Sequence, residues 1–135
     1  MKKPIIIAMM IGLPVMVFGQ AGKQQPGKIK KVIVTEHVFE KGAEKVYKDS
    51  ETRYDASGNT IEENEYKAGK IDKHMVYEYD AANNKIKETE LDVVSGKPVK
   101  TTEYKYNSNN LKTEKAVYDA GHKLKSKKVY QYESF

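Results

Sequence analysis

Residues Tyr54–Lys70 read YDASGNTIEENEYKAGK. The opening of this stretch returns as YDAANNKIKETEL from Tyr79 and, shortened, as YNSNNLKTEKAVY from Tyr106. Asp or Asn directly after a strand accepts from backbone N–H groups two residues on, and Gly or Asn enters the left-handed region that tight loops need. Asp55, Gly58, Asn59, Asp80, Asn83, Asn84, Asn107 and Asn110 are therefore read as turn formers rather than as catalytic groups. Further turn-rich clusters lie at EKGAE (40–44), KAGK (67–70), VSGK (94–97) and DAGH (119–122). Short segments of mixed apolar and charged residues separate them, which is the pattern of antiparallel strands. No window carries a 3.6-residue apolar stripe with helix caps.

The spacing is regular. Tyr54, Tyr79, Tyr106 and Tyr132 are 25, 27 and 26 residues apart, and the last three each close a Tyr-x-Tyr. A period of about 26 is two strands and two turns, so one repeat is one hairpin and its connection. Counting from Lys31 gives about eight strands. The expected fold is an all-β antiparallel meander, an open twisted sheet or sandwich, with a closed eight-stranded barrel as the alternative. The composition agrees. After residue 19 the chain has three Leu against ten Val and ten Tyr, a balance that suits pleated surfaces and not helical cores.

The copies differ in one respect. Tyr54 to Ile61 and Tyr79 to Ile86 are seven positions, but Tyr106 to Leu111 is five. A change of two preserves strand facing where a change of one reverses it. This leads to the expectation that Tyr54 pairs with Ile61, Tyr79 with Ile86 and Tyr106 with Leu111. Alternation then places Tyr77, Tyr79, Tyr104, Tyr106, Tyr130 and Tyr132 on one face as a tyrosine panel, with Ile61, Ile86 and Leu111 between its columns. The same alternation points Tyr66, Leu91 and Tyr118 to the opposite face, which requires either a bulge in each strand or a strong twist.

The first twenty residues, MKKPIIIAMMIGLPVMVFGQ, have two lysines, an apolar run and small-residue positions at Val17 and Gly19. That order is a secretory signal peptide over residues 1–19, and the run is short for a membrane span. Residues 20–30 read as a flexible leader, and residues 31–135 as a single repeat-built domain. The expected location is periplasmic or secreted, with no stable membrane insertion after cleavage. There is no Cys for a lipid anchor or disulfide. Removal of residues 1–19 takes Lys2 and Lys3 and lowers the formal charge from +5 by two, and the modest excess left comes from mixed Lys and Glu, which speaks for solubility and against nucleic acid.

No cofactor, metal or catalytic residue is expected. His37, His74 and His122 lack ligand spacing. Glu62, Glu63, Glu65, Glu88 and Glu90 resemble paired acids but alternate with polar residues in equivalent strands, where they are expected to face lysines. The terminal VYQYESF ends on Phe as outer-membrane barrels do, yet Gln131 and Glu133 fall where lipid-facing residues belong.

The pattern Tyr-Asp-x-x-Gly-Asn-x-Ile, complete in YDASGNTI (54–61), resembles the YD repeats of the RHS-repeat families. YDAANNKI departs from it at the fifth position, and YNSNNL departs further. The segment YKAGKIDKHMVYEY (66–79) is also similar to the Tyr-x-x-Gly-Lys phase of MORN-like repeats in bacterial YwqK-type proteins. The resemblance covers about Glu51 to Ser134 and implies a scaffold or binding role without catalytic residues. Large RHS proteins wind such repeats into a shell around cargo; three or four copies are too few for that. The functional expectation is an exported, non-enzymatic module binding a protein or glycan, with a structural component of the cell envelope pairing through sheet edges as the alternative.

Overall fold

A computed structural model describes residues 29–135. The expected signal peptide and residues 20–28 of the leader lie outside the described residues. Eight strands follow in sequence: β1 (Lys31–Glu40), β2 (Ala43–Tyr54), β3 (Thr60–Lys67), β4 (Lys70–Tyr79), β5 (Lys85–Leu91), β6 (Pro98–Tyr106), β7 (Lys112–Asp119) and β8 (Leu124–Val129). They form one antiparallel meander sheet in the order β1 to β8. β1 and β8 remain its edges, so the barrel alternative does not occur. The chain divides into two compact units, one ending at Lys73 and one running from His74 to Phe135.

Two kinds of loop turn the chain. Lys41-Gly42 between β1 and β2, and Ala68-Gly69 between β3 and β4, are two-residue loops with φ of 50°, 77°, 49° and 77° in turn. Both residues of each loop are left-handed, as the twist of a tight hairpin demands.

The other kind is a five-residue loop used four times: Asp55–Asn59, Asp80–Asn84, Asn107–Leu111 and Asp119–Lys123. In every copy the first residue's Oδ1 accepts two backbone N–H groups. Asp55 takes those of Ser57 and Asn59, both at 2.9 Å. Asp80 takes Ala82 and Asn84 at 2.9 Å. Asn107 takes Asn109 and Leu111 at 3.0 Å. Asp119 takes Gly121 at 3.0 Å and Lys123 at 2.9 Å. The fourth residue is left-handed each time: Gly58 (φ 81°), Asn83 (62°), Asn110 (59°) and His122 (58°). The first N–H then donates to the fifth carbonyl, as from Asp80 to Asn84 at 3.0 Å.

These bonds correct the expected register. Tyr54 faces Thr60, Tyr79 faces Lys85 and Tyr106 faces Lys112, not Ile61, Ile86 and Leu111. The third loop is not shortened. Leu111 closes it in the place that Asn59 and Asn84 hold in the first two. The loop length is set by the Oδ1 acceptor, so an aliphatic residue at the closing position does not shift the strand. One strand position after each loop carries a bulge, with Ile61, Ile86, Thr113 and Lys125 the extra residues. The bulge allowed as one account of the apolar face change is found after each loop, yet Leu91, opposite His74, and Tyr118, opposite Thr101, stay on the face away from Tyr77 and Tyr104. Between β5 and β6 the loop starts at Asp92, whose Oδ1 accepts from Val94 (3.1 Å) and Ser95 (2.7 Å), two residues before the cluster at 94–97.

Within each unit the strands touch only their sequence neighbours. Among the described residues Tyr104 and Ala116 are the buried hydrophobics; the other covered positions are Glu51, Gly58, Asn59, Asn64, Thr89, Thr101 and Thr102. Five of these nine lie on β5, β6 and β7. They are covered by side chains of the strands on either side, the way a single sheet layer buries its middle. Among the described residues no helix is long and apolar enough to cross a membrane.

Two outcomes follow for the loops. Ala68→Gly relieves a left-handed alanine and is expected to raise stability by about 0.5 kcal/mol, whereas Gly58→Ala lowers it by about 1 kcal/mol. Urea unfolding midpoints measure both. The second outcome concerns acid. Backbone N–H donation, from Asn84 to Asp80 and from Lys123 to Asp119, holds both carboxyls below their usual range. A folded-state value below the unfolded one stabilises at pH above about 4, and that contribution is lost as pH falls through the folded value. Unfolding midpoints should drop on acidification below about pH 4. Asp119→Asn, which keeps the Oδ1 acceptor as Asn107 does, should flatten part of that drop.

A tyrosine and lysine face as the candidate functional site

The second unit brings together the six tyrosines of the expected panel. Tyr77 lies opposite Glu88, and Glu88 lies opposite Thr102, which shares a face with Tyr104 and Tyr106 two and four residues on. Tyr79 shares the face of Tyr77. Tyr130 follows β8 and is tied to β7 by its N–H, which donates to the Thr113 carbonyl at 3.0 Å. The Lys112 ammonium lies 4.6 Å from the Tyr104 ring centroid and 5.9 Å from that of Tyr130, which puts both rings on one face. Tyr77, Tyr79, Tyr106 and Tyr130 are half-buried, Tyr104 is 9% exposed and Tyr132 is 52% exposed.

The columns between the tyrosines hold lysines, which corrects the expectation of Ile86 and Leu111 there. Lys85 sits 5.3 Å from the Tyr77 centroid and 5.5 Å from that of Tyr104. Lys112 and Lys115 approach Tyr104 at 4.6 and 6.0 Å. The bulges are the reason. An extra residue puts positions three apart on one face, so Lys85 reaches Glu88 at 2.7 Å and Lys112 shares its face with Lys115. Ammonium over an aromatic face is attractive, about 0.5–1 kcal/mol where partly exposed.

The ring positions are fixed by hydroxyl bonds that join successive repeats. The Tyr106 hydroxyl donates to the Lys85 carbonyl at 2.7 Å, and the Tyr132 hydroxyl donates to the Lys112 carbonyl at 2.6 Å. Each carbonyl belongs to the first strand residue after the preceding loop. Asn84 Nδ2 also donates to Asn110 Oδ1 at 2.9 Å, linking corresponding loops 26 residues apart.

The electrostatics centre on Glu88 and Tyr104. Burial pushes the Glu88 carboxyl up, but the Lys85 hydrogen bond and charge, the Tyr104 hydroxyl and Lys115 more than offset this and hold it below its ordinary value. Burial, and then the Glu88 charge and hydrogen bond, push the Tyr104 phenol well above its ordinary value. Burial, with Asp80 and Glu88, also raises Tyr106.

The remaining candidate residues have local roles. Among the described residues no group of three or more His, Asp or Glu could hold a metal. His37 bonds Glu44 and His122 stacks on Tyr118 with centroids 4.6 Å apart. His74 lies opposite Leu91. Glu62 pairs with Arg53 at 3.6 Å, Glu63 lies opposite Thr52 and Glu65 opposite Ser50. Glu90 lies opposite Lys100. The lysine columns were the part that sequence reading missed. Lys85 and Lys112 each stand six residues after a repeat Tyr, a spacing visible in the chain once all loops are given five residues.

No protein-family model matches the chain, and no curated protein matches it.

The hydroxyl latches give a direct test. Tyr106→Phe removes the bond to Lys85 and is expected to cost about 1 kcal/mol, read by chemical denaturation. Tyr106→Phe and Tyr132→Phe proteins should keep the strand content of the parent by circular dichroism.

Proposed function

We propose that this chain is an exported, non-enzymatic β-repeat module of the YD type that binds a partner through the tyrosine face of its sheet. The observation that carries this reading is the set of tyrosines spaced two strands apart, about 9.5 Å, on one face of the second unit, over which no other strand of that unit packs among the described residues. Tyr gives a rigid contact at low entropy cost, and its rings here are already held in place, so little ordering is needed on binding. The shared loop geometry supports the repeat reading, since Asp or Asn at its first position and a left-handed residue at its fourth are what the YD pattern specifies. A periplasmic or secreted location follows from the signal-like start, and a protein or glycan partner from the aromatic face.

Assembly through sheet edges is the weaker reading. The edge strand β8 carries Lys125, Lys127 and Lys128, and charged edges discourage strand addition.

The test is affinity capture from envelope fractions with the parent chain and two variants. Tyr77→Ser with Tyr130→Ser should lose the captured partner while retaining the strand signal in circular dichroism. Val76→Ser with Tyr118→Ser, on the opposite face, should keep it. Capture that survives the panel substitutions would sink the proposal.

A further inference from the structure

The two faces of the second unit treat their charges differently. Opposite the panel, cations meet carboxylates: Lys87 reaches Glu78 at 3.4 Å, and Lys105 and Lys127 reach Glu114 at 3.3 and 3.0 Å. On the panel face, Lys85 is paired with Glu88. Lys112 and Lys115 have no carboxylate within 4 Å among the described residues; Lys115 acts on Glu88 from beyond that distance, and both lie over the Tyr104 ring. Lys128 is the direct cross-strand partner of Lys115, so two ammonium groups face each other across the β7–β8 ladder. Like charges directly opposite in a sheet destabilise it. Elsewhere on the panel face Glu90 and Asp119 both lie opposite Lys100, so the cations are concentrated at the Lys112, Lys115 and Lys128 end, a feature that the fold's own stability disfavours.

We infer that the panel face of the second unit, at Lys112, Lys115 and Lys128, docks an acidic polypeptide segment whose carboxylates supply the missing counter-charges. This rests on the binding reading given above and narrows its partner. Three observations select the occupant. The hydroxyls of Tyr106 and Tyr132 are spent on backbone carbonyls, so they are not free to donate to sugar hydroxyls. The rings of Tyr77, Tyr104 and Tyr130 have ammonium groups over them, so their faces are not open for sugar stacking. Among the described residues, the exposed hydrophobics Leu124 and Val129 of the neighbouring edge strand pair with Tyr118 and Glu114 on the other face, so β8 offers a lipid bilayer no apolar insertion beside these lysines. What the face offers is an array of ammonium groups held over fixed aromatic plates, and charge complementarity then calls for carboxylates.

The experiment uses the full chain, a glutamate-rich peptide, polygalacturonate, and vesicles containing phosphatidylglycerol. Peptide binding is expected, weakening as salt rises. Lys112→Gln with Lys115→Gln and Lys128→Gln should weaken it about tenfold. Lys87→Gln with Lys105→Gln and Lys127→Gln removes the same charge from the other face and should change it less than about twofold. Relief of the Lys115–Lys128 repulsion should leave the first triple variant folded, checked by its unfolding midpoint. Equal loss in both triples would show a net-charge effect and overturn the inference. Polygalacturonate or vesicles binding as tightly as the peptide, with the same lysine dependence, would overturn it in favour of a glycan or a membrane. Absence of peptide binding alongside partner capture that still depends on the panel tyrosines would overturn the acidic partner and leave the binding function standing.

Discussion

One side-chain oxygen at the start of each long loop organises this structure. The Oδ1 of Asp55, Asp80, Asn107 or Asp119 takes two backbone N–H groups that would otherwise be unmet in a five-residue turn. That fixes where the return strand begins. The bulge follows at once, and the bulge sets which residues reach which face. Lys85 and Lys112 sit among the tyrosines because of this sequence of constraints, not because an apolar partner was lacking. Asn107 shows what is required: an acceptor in the right place, with the negative charge dispensable.

Stability is gathered across neighbouring strands instead of in an interior. A layer whose buried hydrophobics are Tyr104 and Ala116 needs other means of holding its middle strands. Threonines on β5 and β6 fill the space beside them, and their β-branched shape fits a pleated surface. The ammonium groups of Lys85 and Lys112 lie over the Tyr104 ring, so lysines take part in covering the one large buried aromatic among the described residues. In the first unit Glu51 does comparable work. Lys48, then Lys31 and Arg53, keep its carboxyl below the ordinary range despite burial.

Strand number, order and turn positions were legible in the sequence because Asp, Asn and Gly carry backbone requirements that do not depend on distant contacts. The tyrosine face was legible for the same reason, since alternation within a strand is local. Register was not. Pairing Tyr106 with Leu111 followed from matching apolar residues, and the match misled because Leu111 closes a loop whose length its side chain does not control. Tyr118 opens a fourth loop of the same kind, masked in the sequence because it stands 12 residues after Tyr106 and outside the longer period. The lysine columns were hidden by the bulge, which no single residue type announces: Ile61, Ile86, Thr113 and Lys125 all occupy that position.

Because each strand within a unit meets only the strands beside it in the chain, the ordering within a unit is carried by hairpins of consecutive strands. Chains of this kind have low contact order and form from whichever hairpin closes first, with growth outward from it. Such an arrangement also tolerates a change in the number of hairpins. A duplicated segment of one period would bring its own loop acceptor, its own bulge and its own latching tyrosine, and would ask nothing new of the strands more than one place away. The length of the sheet is in that sense a free variable of evolution, bounded by the need to finish each end.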